Sequence, residues 1–354
     1  MKRYAVIMAG GVGERFWPLS RAGRPKHLWN IAGGEECLLS QTFSRIARFV
    51  PKSNIMIVTN AGQIGGIKKY CPEIPAENLV AEPAGRDTTA AIGLAAVLVK
   101  SRAAGAESSF AVFPSDQLIE DAEGFSETVM KAFEVAEEGD RLVTIGIVPT
   151  FAATGYGYIK RAAERGGAFE VEKFYEKPDR ARAEKYLASG DFYWNAGIFV
   201  WKTASIMSAM ERNVPKTFEI FCRIKSNLDS GKDLRGAAAE LYPQIEKISI
   251  DFSVMEKSDN VWVVPAKFDW DDVGSWAAME RHVKKDSRGN VAVGELYAQD
   301  AGGCSVFDAS GRATAIVGLS DIVVVHSADA TLVCRKDCAE KIRDLVRSLP
   351  QKYR

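Results

Sequence analysis

An excess of charge of either sign is missing from this chain. Lysine and arginine together number 46, and so do aspartate and glutamate, which leaves a formal net charge of zero. Without a basic surplus, the composition favours neither nucleic acid nor an anionic membrane as a partner. Histidine is also scarce, with three residues in 354, so a histidine-rich zinc site is not expected.

Paired cysteines and long apolar runs are missing too. The six cysteines are scattered and form no Cys-x-x-Cys pair, which favours reduced thiols, as in the cytoplasm. The apolar stretch after Met1-Lys2-Arg3 is too short for a signal peptide or a membrane span. A hydrophobic content of 47% over this length instead predicts a globular protein with one large domain and a smaller appendage.

The first loop of the chain carries an unusual concentration of special residues. The apolar run 4–9 predicts a buried strand, and three glycines follow it: Gly10, Gly11 and Gly13. Glycines after a strand let backbone N–H groups approach phosphate oxygens closely. Arg15 and Lys26 add a planar fork of donors and a compact point charge. The loop therefore predicts triphosphate chemistry.

Two better-known glycine loops do not fit this segment. A P-loop closes on Gly-Lys followed by Ser or Thr, and no such triplet closes this loop. A dinucleotide fingerprint counted from Gly11 and Gly13 places its third glycine at Phe16, whose ring would block close packing of helix and strand. A nicotinamide oxidoreductase is accordingly not favoured.

Strand and helix patterns alternate along the first half of the chain. Strand-like runs at 55–59, 79–81, 110–113 and 142–148 are separated by helical patterns such as 88–100 and 125–137. This order predicts an α/β fold, a Rossmann-like and mostly parallel mixed sheet flanked by helices, with ligands at the carboxyl ends of the strands. The stretch 291–333 predicts a small β-rich unit, and 336–349 a terminal helix. We therefore expect two domains, 1–285 and 286–354.

Acidic residues occur at two places in the chain where a metal could bind. Asp116 follows the strand at 110–113 after Pro114 and Ser115, and Asp272 ends an acidic segment that begins at Asp269. Mg²⁺ in nucleotide chemistry is typically held by one or two carboxylates together with phosphate oxygens and water. Asp116 could instead cap a turn or a helix, and the acidic segment, Asp271 above all, could be a solvated loop.

Glu82, at the end of the strand 79–81, is the candidate for base recognition. Guanine presents two neighbouring donors, which one carboxylate can accept together, whereas uracil and thymine present a single N–H between carbonyls. This favours GTP. The alternative is that Glu82 pairs with Arg86 and only fixes the loop.

Three further segments suit a sugar phosphate. Gly157 lies among glycines and tyrosines, Glu176 and Lys177 offer a carboxylate for hydroxyls and an ammonium for a phosphate, and Asn195 is an amide among apolar residues. Each segment taken alone could equally have a structural role.

Together these segments resemble the sugar-1-phosphate nucleotidyltransferases, in the same order along the chain. The resemblance rests on six groups of residues: 10–15 with 18–21 and 25–26, 113–116, 155–159, 176–178, 194–197 and 272–276. The segment 249–257 also resembles the family. It implies a nucleotidyltransferase fold over most of the chain and a tail like a short left-handed β-helix, used in dimerisation. A homodimer is therefore expected. Gln117 and His27 depart from the family, which usually has His and Gln there.

The resemblance also implies the substrates and the role of each residue. GTP and mannose 1-phosphate would be the substrates, and Mg²⁺ the cofactor. The catalytic residues would be Arg15, Lys26 and Lys177; the nucleotide would contact Gly10, Gly11, Gly13, Glu82, Arg86, Thr88 and Ser115; the sugar phosphate would contact Gly157, Glu176 and Asn195; the metal would be held by Asp116 and Asp272. Two alternatives stay open: another sugar 1-phosphate, such as a manno-heptose, or a silent relative that binds nucleotide sugar and regulates a partner.

Overall fold

A mixed sheet organises the first three quarters of the chain. The computed structural model describes residues 1–30 and 36–354. Among them, nine strands form this sheet: β1 (Lys2–Met8), β2 (Ile55–Asn60), β3 (Leu79–Glu82), β4 (Ser108–Pro114), β5 (Leu142–Ile147), β6 (Tyr158–Arg165), β7 (Ala168–Tyr175), β8 (Phe192–Lys202) and β9 (Val261–Pro265). Their spatial order is β3-β2-β1-β4-β8-β5-β9-β7-β6.

Helices cover both faces of this sheet. They are α1 (Leu38–Ile46), α2 (Ile64–Tyr70), α3 (Asp87–Ala103), α4 (Ala122–Glu137), α5 (Arg180–Ser189), α6 (Thr203–Asn213), α7 (Pro215–Asp229), α8 (Leu234–Ala238), α9 (Ile250–Ser253) and α10 (Trp276–Met279). One apolar core lies under α1, α2 and α4, and a second core lies under α3 and α6 to α9. The predicted layered α/β architecture is confirmed.

The sheet is less parallel than the alternating pattern suggests. Strands β3, β2, β1 and β4 are parallel, and β5 is parallel to β9. Between these two groups lies β8, which runs antiparallel to both β4 and β5. The hairpin β6–β7 adds further antiparallel pairs. For this hairpin the reason is local: β6 and β7 are joined by a tight turn at Gly166-Gly167, both with positive φ, and hairpin strands cannot be parallel.

The ends of the long helices follow from local chemistry. Asp121 accepts hydrogen bonds from the backbone N–H groups of Glu123 and Gly124 and thereby caps α4. Asp179 caps α5 in the same way. In α3, a Cβ atom on Gly93 would lie 2.1 Å from the ring of Phe221, so only glycine allows α7 to pack this closely.

The C-terminal part consists of short strands and one helix. The strands are β10 (Val291–Val293), β11 (Leu296–Gln299), β12 (Ser305–Asp308), β13 (Thr314–Val317), β14 (Ile322–His326) and β15 (Thr331–Arg335). Strands β10, β12 and β14 pair in parallel, β15 is antiparallel to β14, and β11 pairs in parallel with β13. The expected terminal helix is in fact two pieces, a 3₁₀ segment at Lys336–Lys341 and then α11 (Ile342–Ser348).

The two parts share an apolar core. Phe16 and Trp276 lie with their ring centroids 5.1 Å apart, and Trp276 lies 4.8 Å from Phe307 of β12. Val323 and Ile342 belong to the same buried cluster. The C-terminal part therefore packs directly on the glycine-containing loop, and the division of the chain after residue 285 stays a prediction. Within the described residues, no helix is both long and apolar enough to cross a membrane.

Candidate functional site

The register of the parallel strands brings the predicted site residues to one edge of the sheet. Met8, at the end of β1, lies opposite Val58 of β2 and Pro114 of β4. Glu82, at the end of β3, lies opposite Asn60 of β2. The chain segments that leave β1, β3 and β4 therefore start side by side, as the parallel arrangement predicts.

Two adjoining cavities open at this edge. The first, about 610 Å³ in volume, is lined by predicted residues from distant segments: Gly11, Gly13, Arg15, Lys26, Asp116 and Asp272. The second, about 470 Å³, is lined by Gly10, Gly11, Glu82, Arg86 and Thr88. Gly11 and Lys247 belong to both linings, so one elongated ligand could occupy the two cavities together.

The glycine loop is shaped by its own backbone. Gly13 has a φ of 75°, and a Cβ atom there would lie 2.8 Å from Cβ of Lys26, so a side chain would displace the lysine. At Gly11, by contrast, a Cβ atom would meet nothing within 4 Å. The protein thus leaves space beside Gly11 that a ligand could fill. Phe16, which argues against a dinucleotide loop, is buried in the shared core.

Lys26 is the most constrained charge of the first cavity. Its side chain is 5% exposed, and Nζ donates to Oδ2 of Asp116 at 2.9 Å and to the backbone oxygen of Asp272 at 2.8 Å. The ammonium therefore joins the two predicted metal ligands. Since a buried ammonium is costly unless it is paired, these contacts fix its position.

The adjacent residues Asp271 and Asp272 have different partners. Asp272 Oδ1 accepts from the hydroxyl of Tyr156 at 2.7 Å, and burial raises the pKa of this carboxyl. Asp271 accepts two hydrogen bonds of 2.7 Å from Arg281. Burial alone would raise the pKa of Asp271, but these bonds and the Val273 N–H lower it. Asp271 is 8% exposed, so the suggested solvated loop is wrong for this residue. Asp271 instead has a buried structural role, whereas Asp272 lines the cavity.

Arg15 and its neighbour Glu14 contact the C-terminal segment. Arg15 Nε lies 2.9 Å from Oε2 of Glu340. Glu14 Oε2 lies 3.4 Å from Nε of Arg343 and 3.8 Å from Nε of Arg347, both on α11. Arg343 and Arg347 also line the first cavity, so its wall is partly made by α11.

Glu82 is held by a partner that the sequence did not indicate. Its Oε1 accepts from the hydroxyl of Tyr242 at 2.5 Å, and burial raises the pKa of the carboxyl. Among the described residues, Glu82 forms no ion pair with Arg86, so the suggested loop-fixing pair is absent. The hydroxyl of Thr88 accepts from the backbone N–H of Ile250 at 2.8 Å and therefore anchors α9.

The predicted sugar-phosphate residues form a separate cluster at the border of the second cavity. A Cβ atom on Gly157 would lie 2.8 Å from Oε2 of Glu176, whose Oε1 lies 2.8 Å from Nζ of Lys177. The Asn195 backbone N–H donates to the oxygen of Gly157 at 2.9 Å, and its Nδ2 donates to Asp251 at 2.7 Å. Asp251 lines the second cavity, whereas Ser115 is buried and lines neither cavity.

Two contacts join this cluster to the predicted metal ligands. Tyr156 precedes Gly157 and donates to Asp272, as described above. Gln117, next to Asp116, donates from Nε2 to the backbone oxygen of Ala196 at 2.6 Å. The three predicted groups of residues, for triphosphate, base and sugar, are therefore brought together by the fold.

The first cavity fits a hard divalent cation bound jointly with a ligand. Within residues 1–30 and 36–354, no group of three or more His, Cys, Asp and Glu side chains could hold a metal by itself. Oδ1 of Asp116 and Oδ2 of Asp272 accept no hydrogen bond from the described residues. Two such carboxylate oxygens suffice for Mg²⁺ when phosphate oxygens and water complete its coordination.

Several residues of the site escaped prediction. They are Tyr242, Lys247, Asp251, Arg343 and Arg347. Asp251 lies in a segment, 249–257, that shares the family resemblance, so it could have been proposed. No sequence pattern marks the other four, since they reach the site only through the packing of the α7–α9 region and of α11.

Comparison with known proteins assigns the chain to a family. The nucleotidyl transferase family model matches residues 4–289, which include all of the large sheet except the first two residues of β1. The chain therefore belongs to the nucleotidyl transferase family. A second model, the mannose-phosphate isomerase/GMP-like β-helix domain, matches residues 280–349. The predicted small β-rich domain is thereby confirmed.

Relatives narrow this assignment to the mannose-1-phosphate guanylyltransferases. The chain is 33% identical to the Klebsiella pneumoniae mannose-1-phosphate guanylyltransferase, covering 99% of this chain and 74% of that protein. It is also 33% identical to the alginate biosynthesis protein AlgA of Pseudomonas aeruginosa, covering 97% and 71%. A crystal structure from Thermus thermophilus, described as a mannose-1-phosphate geranyltransferase, matches with a TM-score of 0.86 and 37% identity over 98% and 99% of the two chains.

Proposed function

We propose that this enzyme transfers GMP from GTP to mannose 1-phosphate, giving GDP-mannose and pyrophosphate. The observation that carries the proposal is the position of Lys26, fixed between Asp116 and the backbone of Asp272 at the floor of a cavity lined by glycines. The names of the relatives agree with this reaction. Guanine would occupy the second cavity beside Glu82, and the triphosphate the first, with the α-phosphate near Gly11, which borders both.

Mannose 1-phosphate would lie against the cluster of Gly157, Glu176 and Asn195. The carboxylate of Glu176 suits sugar hydroxyls, and Lys177, whose side chain is 60% exposed, is free to turn from Glu176 to a phosphate. Because Tyr156 links this cluster to Asp272, the sugar phosphate would approach the α-phosphorus from the side of the predicted metal ligands.

The reaction is an in-line displacement. A phosphate oxygen of mannose 1-phosphate forms a bond to the α-phosphorus of GTP, while the bond from that phosphorus to the bridging oxygen breaks and pyrophosphate leaves. The nucleophile is already an anion, so the protein's task is to hold two polyanions together and neutralise charge. Lys26 and Arg15 supply fixed positive charge to the triphosphate, and Lys177 orients the attacking phosphate. A Mg²⁺ ion held by Asp116 and Asp272 would add charge neutralisation there.

Pyrophosphate release tests the proposal directly. GTP, UTP, dTTP and ATP are crossed with mannose 1-phosphate, glucose 1-phosphate and a manno-heptose 1-phosphate in the presence of Mg²⁺. We expect the maximum at GTP with mannose 1-phosphate. A maximum elsewhere in the grid would reassign the substrate, and no release with any pair would favour the silent nucleotide-sugar binder. Adding EDTA to the productive pair is expected to abolish release, which tests the divalent ion.

Assembly and location complete the proposal. We infer a homodimer located in the cytoplasm, with the two substrates as its principal partners and no role for nucleic acid or membrane. Light scattering of the purified protein tests the homodimer, because a dimer has twice the chain mass of 38.7 kDa.

A further inference from the structure

The charge of the first cavity depends on the C-terminal helix. Among the described residues, the lining has three acidic side chains, Glu14, Asp116 and Asp272, and five basic ones, Arg15, Lys26, Lys247, Arg343 and Arg347. Without Arg343 and Arg347, acids and bases are equal in number. The surplus of two positive charges that a polyphosphate requires therefore comes entirely from α11.

The two arginines are arranged to face a common ligand. They are four residues apart on α11, so they lie on the same side of the helix, one turn from each other. Both are near Glu14, at 3.4 Å and 3.8 Å, and this one carboxylate cannot neutralise two guanidinium groups. Their side chains are 52% and 55% exposed, so both can reach a ligand that enters from solvent.

The helix itself is firmly seated. Ile342 and Val346, on the neighbouring side of α11, are buried in the core shared with Phe16 and Trp276. Just beyond α11, the Trp17 indole donates to the backbone oxygen of Tyr353 at 2.8 Å. The arginines thus project from a fixed support, and their position relative to the glycine loop is set by packing.

We propose that Arg343 and Arg347 bind the β- and γ-phosphates of the nucleotide, so that the C-terminal domain completes the triphosphate site. Planar guanidinium groups suit phosphate oxygens, which they can bind in pairs of hydrogen bonds. The inference rests on the proposed function in assigning a triphosphate to this cavity. It adds that the leaving pyrophosphate is held by the two arginines after the bond to the α-phosphorus has broken.

Pyrophosphate binding separates this role from a merely structural one. Titration calorimetry of the full chain with inorganic pyrophosphate, and separately with GMP, is performed on wild type, Arg343→Gln, Arg347→Gln and the double variant. Arg335→Gln is the matched control, because Arg335 is in the same domain, is 72% exposed and lines neither cavity. We expect each single variant to weaken pyrophosphate binding about tenfold and the double variant about a hundredfold, with GMP binding unchanged.

Two results would overturn the inference. Equal pyrophosphate affinity in wild type and the double variant would show that the arginines do not touch the phosphates. Equal weakening of GMP and pyrophosphate, together with a lower melting temperature, would show that α11 acts only by supporting the loop. A failure of the proposed function would be detected separately, by the pyrophosphate-release assay of the wild type with the different substrate pairs. The pyrophosphate titration measures binding only and does not require turnover.

Discussion

At the scale of single residues, the site works through side chains whose partners fix their position before any ligand arrives. Lys26 is nearly buried and has two oxygen partners, and Asp272 is held by Tyr156. Such preorganisation is what makes electrostatic stabilisation effective, because the groups need not rearrange when charge develops on the phosphates.

Replacing Lys26 by methionine should remove turnover without unfolding the chain. The apolar side chain fills a similar volume, but the positive charge beside Asp116 is lost, so we expect kcat/KM to fall about 10²- to 10³-fold. Steady-state kinetics and circular dichroism measure the two effects. Lys225→Met, which breaks an ion pair with Asp229 on α7, is the control and should retain activity. Turnover close to wild type in Lys26→Met would remove this residue from catalysis.

The neighbours Asp271 and Asp272 provide a matched pair of substitutions. Asp272→Asn should raise the Mg²⁺ concentration needed for half-maximal rate about tenfold or more, because an amide is a weaker ligand than a carboxylate. Asp271→Asn should leave that midpoint unchanged and lower the melting temperature, since it weakens the contacts with Arg281 and Val273. Titration of Mg²⁺ at saturating substrates checks both, and identical midpoints in the two variants would contradict the assignment.

Glu82 should make GTP use sensitive to acid. Burial raises the pKa of its carboxyl, so the acceptor form that guanine needs is lost at a higher pH than for an exposed glutamate. We expect the KM for GTP to rise as the pH falls through this raised pKa. Glu82→Gln should abolish that rise and reduce the preference for GTP over UTP by about tenfold or more.

The KM values for GTP and for UTP are measured as a function of pH in wild type and in Glu82→Gln. Glu77→Gln, at an exposed position just before β3, serves as the control. An unchanged GTP to UTP preference in Glu82→Gln would exclude this residue from base selection.

At the scale of elements, the register of β1 with β4 has its own electrostatic support. Arg3 on β1 donates to both carboxylate oxygens of Glu137, at the end of α4, at 2.9 Å and 2.6 Å. Ser109 on β4 donates to the same carboxylate at 2.6 Å. One side chain thus ties the starts of two strands and the end of a helix together, at the edge of the sheet opposite the two cavities.

The contribution of Glu137 should disappear in acid. Burial opposes ionisation of Glu137, but the bonds from Arg3 and Ser109 outweigh it and lower its pKa below the ordinary 4.5. Because the folded-state pKa is lowered, the stabilisation is complete above the unfolded pKa and is lost as the pH falls through the folded one. Glu137→Gln should therefore cost about 1 kcal/mol of unfolding free energy at pH 7 and progressively less below pH 4.5. Urea unfolding from pH 3.5 to 7 tests this expectation, and a difference that grows in acid would contradict it.

At the scale of the whole molecule, the two parts share one apolar core, so we expect them to unfold together. Phe307 of β12 is 3% exposed and packs against Trp276, which packs on Phe16 in the glycine loop. A substitution in the core of the C-terminal domain should therefore alter the candidate active site as well.

Phe307→Ala should destabilise the whole chain and not only its C-terminal part. Removing a buried phenylalanine typically costs about 3–5 kcal/mol. We expect a single unfolding transition at lower temperature and a raised KM for GTP, measured by scanning calorimetry and kinetics. Val333→Ala, at an exposed position of β15, is the control. Two separate transitions, with only one of them shifted, would show that the domains unfold independently.

Much of the fold and the site could be predicted because the relevant signals are local. The alternating runs that became β1 to β5, the glycines before Arg15 and the position of Asp116 after β4 all lie within short stretches of sequence. The antiparallel insertion of β8 was missed because pairing between distant strands depends on topology, which local periodicity does not report. The division of the terminal helix into a 3₁₀ segment and α11 was also missed.

By itself, the sequence determined the class of fold, the family and the residues proposed to bind phosphate and metal, because these signals lie in the spacing and chemistry of short segments. Only the tertiary structure decided which of two adjacent aspartates faces the first cavity, that Tyr242 and not Arg86 holds Glu82, and that α11 brings Arg343 and Arg347 to the same cavity. These outcomes depend on contacts between segments tens to hundreds of residues apart. Such contacts are selected by packing over the whole core, and no local pattern encodes them.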